Sequence, residues 1–272
     1  MKPLRRFRPG LSLLFLLFWP AHAALAAPGC SAAIALAPYL IQAADTRTAT
    51  MPGTVDLTFL GHASFLIQSP GGVSIVTDYN GYIRPDFIPD IVTMNHAHAT
   101  HYTDYPEPEI KLVLRGWDTG NGIPHHDIRF GDVHIRSVST NIRHWTDEGT
   151  EFGGNSIFVF DIADLCVAHL GHLHHTLTPE HLSELGQIDV LIVPVDGGFT
   201  LSHRDIIEVI GQLKPPLIVP MHFFTPRVLE LFLERMGDRY PVAHNDGPHV
   251  VLSRAALPKT PTILVVPPIS PY

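Results

Sequence analysis

Charge is scarce in this sequence. Asp, Glu, Lys and Arg make up only 16% of 272 residues, which argues against a disordered chain or a coiled coil. Beyond the first eight residues no run of Lys and Arg marks a phosphate site. The formal net charge of −8 argues against a general binder of nucleic acid or anionic membranes. Cysteine occurs twice, at Cys30 and Cys166, too rarely for a cysteine-built framework. Cys166 lies in an apolar run over residues 165–170 and reads as a small buried hydrophobe, and no sequence argument brings Cys30 near it. There are no internal repeats, and no long linker divides the chain after residue 50. The longest apolar stretch near the start, residues 11–19, is short of the about 20 residues a spanning helix needs.

That stretch has a different reading. Lys2, Arg5, Arg6 and Arg8 precede it, and the small-residue patterns Ala21-His22-Ala23 and Ala24-Leu25-Ala26 follow it. This is the layout of a secretory signal peptide, with cleavage expected after Ala26. Cleavage removes four cations and no acid, so the mature net charge becomes −8 − 4 = −12. The expected organisation is a signal peptide over 1–26, a lead-in over 27–50, and one domain over 51–272. The expected protein is periplasmic or secreted, acts on a small molecule, binds no nucleic acid and has no stable membrane insertion once cleaved.

From residue 55 the chain alternates short β-rich runs with turn signals. Runs over 55–60, 64–68 and 73–78 are of this kind, with Ser69-Pro70-Gly71-Gly72 between the last two. Further strands are expected over 91–94, 111–114, 133–138, 157–161, 165–170, 190–195, 217–219, 249–252 and 263–266. Helical spacing marks 203–213 and 226–236, and a helix over 179–185 has Thr178 as N-cap and Pro179 at its first position. Mixed sheets in one α/β sandwich fit this order.

What the chain has in abundance is histidine: 18, as many as Lys and Arg together. Three of them, His96, His98 and His101, stand within six residues just past the strand 91–94. In an extended segment His96 and His98 point to one side, and two neutral imidazoles there suit one divalent cation at about 2.0–2.1 Å. His101 is offset and faces the same cleft only if the loop turns.

The segment Asn95-His96-Ala97-His98-Ala99-Thr100-His101 resembles the H-x-H-x-D-H motif of the metallo-β-lactamase superfamily. Thr58-Phe59-Leu60-Gly61-His62-Ala63-Ser64-Phe65, the strand ending at Asp78, Asp196-Gly197-Gly198 and Pro220-Met221-His222 resemble the branch containing the ascorbate-phosphate lactonases. The resemblance implies an αββα sandwich of two mixed β-sheets flanked by helices. It implies one or two Zn²⁺ ions, other divalent metals also being suited. His96, His98 and His144 match one metal's ligands, and His101 and His222 match the other's. Asp78 then holds a ligand histidine in place, and His62 lies near the cleft as a substrate contact or proton donor.

Two departures follow. Thr100 stands where the motif has an aspartate, and His172 stands where the family has the carboxylate that bridges both metals. Two dications about 3.5–4 Å apart repel, and carboxylates normally offset this. An all-imidazole set is therefore expected to hold one ion tightly and a second weakly. The implied activity is a hydrolase in which a metal lowers the pKa of bound water and the resulting hydroxide attacks an ester, lactone or phosphodiester. An exported histidine-rich metal-binding protein without turnover, and an iron or copper oxidoreductase on the same fold, are the alternatives.

Overall fold

The structure, a computed structural model, describes residues 39–41, 50–143 and 149–270. The expected signal peptide, Cys30 and His144 lie outside the described residues. Fifteen strands are formed: β1 (Tyr39–Ile41), β2 (Val55–Gly61), β3 (Ser64–Gln68), β4 (Ser74–Val76), β5 (Ile91–Met94), β6 (Leu112–Arg115), β7 (Asp127–Phe130), β8 (Val133–Arg143), β9 (Thr150–Ile162), β10 (Leu165–His169), β11 (Val190–Pro194), β12 (Leu217–Met221), β13 (Val242–His244), β14 (His249–Leu252) and β15 (Thr262–Val265). Among the described residues three α-helices accompany them: α1 (Pro179–Leu185), α2 (His203–Leu213) and α3 (Pro226–Met236). All three helices fall where the sequence put them, α2 and α3 by apolar spacing and α1 by its Thr178-Pro179 start. Thr178 caps α1 as expected, accepting from the His181 backbone N–H.

The strands form two mixed sheets. One has the order β1-β7-β8-β9-β10-β11-β12-β15-β13 and the other β14-β2-β3-β4-β5-β6. Residues from both line one apolar layer, including Phe59, Phe65 and Ile75 from the smaller sheet and Phe158, Phe160 and Val167 from the larger. Strands β11 and β12 are buried at every position, because their second face is covered by the connecting helices α2 and α3. The smaller sheet carries no helix on its outer face among the described residues. Leu66, Val76, Val92 and Met94 are covered there by Ile83, Phe87, Ile88, Tyr102 and Trp117 from irregular segments. Phe160→Ala, at a fully buried position between the sheets, should cost about 3–5 kcal/mol, whereas Met51→Ala, 68% exposed, should cost under about 0.5 kcal/mol. Urea unfolding of the two variants checks this, and equal midpoints would refute the layer assignment.

Two features differ from the sequence expectation. Strands β8 and β9 run five and seven residues further toward one end than the runs 133–138 and 157–161, because their polar extensions pair with each other from Ser139↔Ser156 to Arg143↔Thr150. Cys166 is disulfide-bonded, so its reading as a merely packed thiol is corrected. The chain has one other cysteine, Cys30.

The topology fixes where chemistry happens. Strands β10, β11 and β12 are parallel neighbours, and β5 lies parallel to β4 and β6 in the opposite sheet. Side chains just beyond the carboxyl ends of β5, β10, β11 and β12 meet at one edge of the sandwich, the usual place for ligands in parallel sheets.

Candidate metal centre

Each of these strand ends delivers polar side chains. Beyond β5 come His96, His98 and His101, beyond β10 His172 and His174, beyond β11 Asp196, and beyond β12 His222. The turn after β2 adds His62. Neighbouring rings of this set stand 4.3 Å (His62 and His222) to 6.3 Å (His96 and His98) apart between centroids. His172 lies among them, 5.1 Å from His96, 6.0 Å from His98, 4.7 Å from His101, 5.3 Å from His222 and 4.9 Å from His174. It thus occupies the middle of the cluster, where the family's bridging carboxylate is expected.

The backbone is strained to achieve this. His62, Asp78 and His222 have φ of 51°, 45° and 56°, a left-handed conformation costly for residues with a Cβ. The first and last are coupled, since the His222 N–H donates to the His62 carbonyl at 2.7 Å. At Gly171 (φ 59°) a Cβ would stand 2.3 Å from the Asn95 amide nitrogen, so glycine is required for His172 to enter the cluster.

Acceptor-only oxygens set the tautomers of His101 and His96. His101 Nδ1 donates to Asp78 Oδ2 at 2.8 Å, and His96 Nδ1 donates to the Gly154 carbonyl at 2.7 Å. His222 Nδ1 lies 3.0 Å from Asp196 Oδ2, and His98 Nδ1 3.0 Å from the Thr100 hydroxyl. A proton on Nδ1 leaves a lone pair on Nε2. His101 Nε2 accordingly faces His222 Nε2 at 3.1 Å and His172 Nδ1 at 3.0 Å. Facing lone pairs repel unless a proton or cation sits between them. His62 Nε2 is buried with no hydrogen-bond partner. One nitrogen each from His62, His101 and His222 lies within 4.8 Å of the others, a group able to hold a metal ion. Soft nitrogen donors, fixed lone pairs and buried rings fit a divalent cation of the zinc, iron, nickel or copper type.

The two nearby carboxylates touch imidazoles rather than the centre of the cluster. Asp78 Oδ1 accepts from the Asn95 N–H at 3.0 Å while Oδ2 holds His101. Asp196 Oδ1 accepts from the N–H groups of Gly198, Phe199 and Thr200, and its Oδ2 from the Thr200 hydroxyl. Asp196 therefore does not replace the carboxylate missing at Thr100. Burial tends to raise the Asp196 pKa, but His222 and the hydroxyl and amide donors outweigh it and hold the carboxyl well below its usual range. Burial lifts Asp78 to about 6.

Burial also favours the neutral form of several of these imidazoles, lowering His62 to about 3 and His174 to about 4, and pushing His101 well below its ordinary value. Neutral imidazoles are the form that binds metal. The unfolded chain protonates these groups below about 6.5 while the folded chain does not. Metal-free protein should therefore lose stability as the pH falls from 6.5 toward 4, by up to about 1.4 kcal/mol per pH unit for each such histidine. Asp78, raised from 3.8 to about 6, opposes this as one group against several. Urea midpoints of chelator-stripped protein at pH 7.5 and 5 check the sign, and an equal or higher midpoint at pH 5 would contradict it.

Sequence reasoning placed His96, His98, His101, His172 and His222 in one centre, and the fold brings them together. His62 joins them through ring contacts with His101 and His222. Three contributors went unread. His169, fully buried, reaches the Ala63 carbonyl through Nε2 at 2.8 Å and pins the turn after His62. Asn155 accepts the His172 N–H at 2.8 Å, and Asn95 donates to the Ser156 carbonyl at 2.8 Å. Neither asparagine carries a spacing signal, since each acts on a residue distant in sequence, Asn95 across the two sheets and Asn155 on the loop after the neighbouring strand.

Residues 56–222 match the family model described as the beta-lactamase superfamily domain. A Pyrococcus horikoshii protein described as a metal-dependent hydrolase is 28% identical over 214 residues, covering 69% of this chain and 95% of that one. A Thermotoga maritima crystal structure, of a candidate Zn-dependent hydrolase of the metallo-beta-lactamase superfamily, aligns with TM-score 0.56 at 28% identity, covering 78% of this chain and 98% of that one. The diiron β-hydroxylase CmlA from Streptomyces venezuelae aligns with TM-score 0.55 over 75% of this chain and 55% of its own, and at 11% identity it shares the fold alone. With a family match spanning β2 to His222 and an imidazole centre at the strand ends within that span, the chain belongs to the metallo-β-lactamase superfamily.

Proposed function

We propose that the protein is a metal-dependent hydrolase acting on an ester, lactone or phosphodiester, with zinc as its ion. The observation that carries this reading is the convergence of the unprotonated His101 Nε2 on nitrogens of His172 and His222 at 3.0 and 3.1 Å, each in a buried side chain. His62, His101, His172 and His222 are the residues to hold the ion, with His96 and His98 lining the adjoining side. A divalent cation there supplies Lewis acidity and lowers the pKa of a bound water toward about 7. The rest is done by the chain. Asp78 and Asp196 keep protons on Nδ1 and so aim the lone pairs inward, and burial keeps the His62, His101 and His172 rings neutral at working pH. Zinc is supported by the description of the Thermotoga relative, and lactones stay among the substrates because of the lactonase-like motifs.

One ion is proposed to bind tightly and a second weakly, since the centre lacks a bridging carboxylate. The Thr100 hydroxyl is 3.0 Å from His98 Nδ1, so an aspartate there keeps an acceptor for that ring. Thr100→Asp should therefore raise second-ion affinity in a metal titration, and an unchanged affinity would count against the charge argument.

Elemental analysis of the purified chain, with a panel of ester, lactone and phosphodiester substrates, tests the function. Stoichiometric metal with turnover of one class is expected. Stoichiometric metal without turnover of any would favour a metal-binding protein. Redox-active iron or copper would favour the oxidoreductase alternative. Export is also proposed, supported by the basic, apolar and small-residue order of residues 1–26 and by the bonded state of Cys166, which suits an oxidising compartment. N-terminal sequencing that found Met1 intact in membrane-bound material would overturn it.

A further inference from the structure

Five large aromatic side chains are exposed among the described residues: Tyr82, Tyr105, Phe152, Phe199 and Phe224. Exposed aromatics scattered at random need no explanation, but these are not scattered. Tyr82 follows Asn80, whose amide holds the Thr100 carbonyl, and Tyr105 comes four residues after His101. Phe152 precedes Gly154, which accepts from His96. Phe199 is in the loop that wraps Asp196, and Phe224 follows His222 by two positions.

Two of them form a wall against the cluster. The rings of Phe199 and Phe224 meet edge to face with centroids 5.5 Å apart. Phe224 stands 5.3 Å from the His62 ring and 5.3 Å from the His222 ring, so apolar surface begins where the metal-binding imidazoles end. Phe199 and Phe224 remain 52% and 38% exposed. The exposed parts of these two rings lie beside the imidazole cluster, where an apolar ligand that covered them would gain the free energy of their burial. A cationic group near this wall, Arg143, donates through Nη2 to the carbonyls of Gly198 and Thr200 at 3.3 and 3.4 Å.

We propose that Phe199 and Phe224 form a subsite for an extended apolar group on the substrate, so that the preferred substrates are esters or lactones with an alkyl or aryl chain of several carbons. This deepens the hydrolase reading and rests on it. The scissile group would lie at the imidazole cluster and the chain along the two rings.

The test uses zinc-loaded full-length protein and straight-chain hydroxamates from acetohydroxamate to octanohydroxamate, whose common head binds the metal. Calorimetric titration reads affinity without requiring turnover. Dissociation constants should fall by about threefold to fourfold per added methylene over the stretch that contacts the rings. Phe199→Ala and Phe224→Ala should each flatten that gain, and Phe224→Leu, which keeps apolar volume, should preserve it. Equal affinity along the series, or an undiminished gain in both alanine variants, overturns the subsite while leaving the hydrolase reading intact. No binding of any hydroxamate by metal-loaded protein tells against the hydrolase reading itself and removes the basis of the subsite. Adsorption to neutral phosphatidylcholine vesicles without any chain-length dependence would reassign the rings to a lipid surface and overturn the proposal.

Discussion

His101→Ala is expected to abolish tight metal binding and, with it, hydrolysis. Among the described residues, no other nitrogen in the cluster is placed as His101 Nε2 is, within 3.1 Å of nitrogens of both His172 and His222. Losing it removes a ligand and also the group that positions two others. The loss of affinity should exceed the about 10–100-fold typical of a residue that merely supports a ligand. The substitution also leaves Asp78 buried with only the Asn95 N–H, so part of any effect would be instability. His222→Ala separates the two. Its carboxylate partner, Asp196, keeps the donors of Gly198, Phe199 and Thr200. The His222 variant should therefore lose metal while its metal-free melting temperature stays close to that of the metal-free parent. Full metal content in both variants would remove the site from this edge of the sandwich.

Asp78→Asn is the more discriminating change. Asparagine tolerates the left-handed backbone found at position 78, so the turn should survive. Its amide oxygen can still accept from the Asn95 N–H, but its NH₂ group must then face His101 Nδ1. That ring nitrogen becomes an acceptor, the proton moves to Nε2, and an N–H points into the place of the metal. A 10–100-fold loss of metal affinity is expected, with little change in the stability of the metal-free protein. Imidazole nitrogen chemical shifts read the tautomer directly. Unchanged affinity together with an Nε2 proton would show that His101 is not a ligand.

Much of this centre was legible because its parts are short and local. His96, His98 and His101 follow an apolar strand at close spacing, and a strand's end is readable from composition. The three helices were legible for the same reason, through apolar spacing and the Thr178-Pro179 start. What could not be read depends on pairing between strands and on contacts between the two sheets. The polar run Ser139-Thr140-Asn141 looks like a loop, yet it continues β8 because β9 offers it a partner, and the extended β9 carries Gly154 and Asn155 to His96 and His172. His62 gave no sign that its ring would lie 4.3 Å from His222, because a backbone bond between residues 160 positions apart joins them. Asp196 was legible as a carboxylate near the centre but not as the partner of His222, a role set by the loop that saturates its other oxygen.

The central claim is that neutral, tautomer-locked imidazoles make one strong site for a divalent ion. Titrating chelator-stripped protein with Zn²⁺ at fixed pH tests it most directly. The account predicts one ion per chain bound tightly and a second bound far more weakly. Two ions of equal high affinity, or none held tightly, would contradict it.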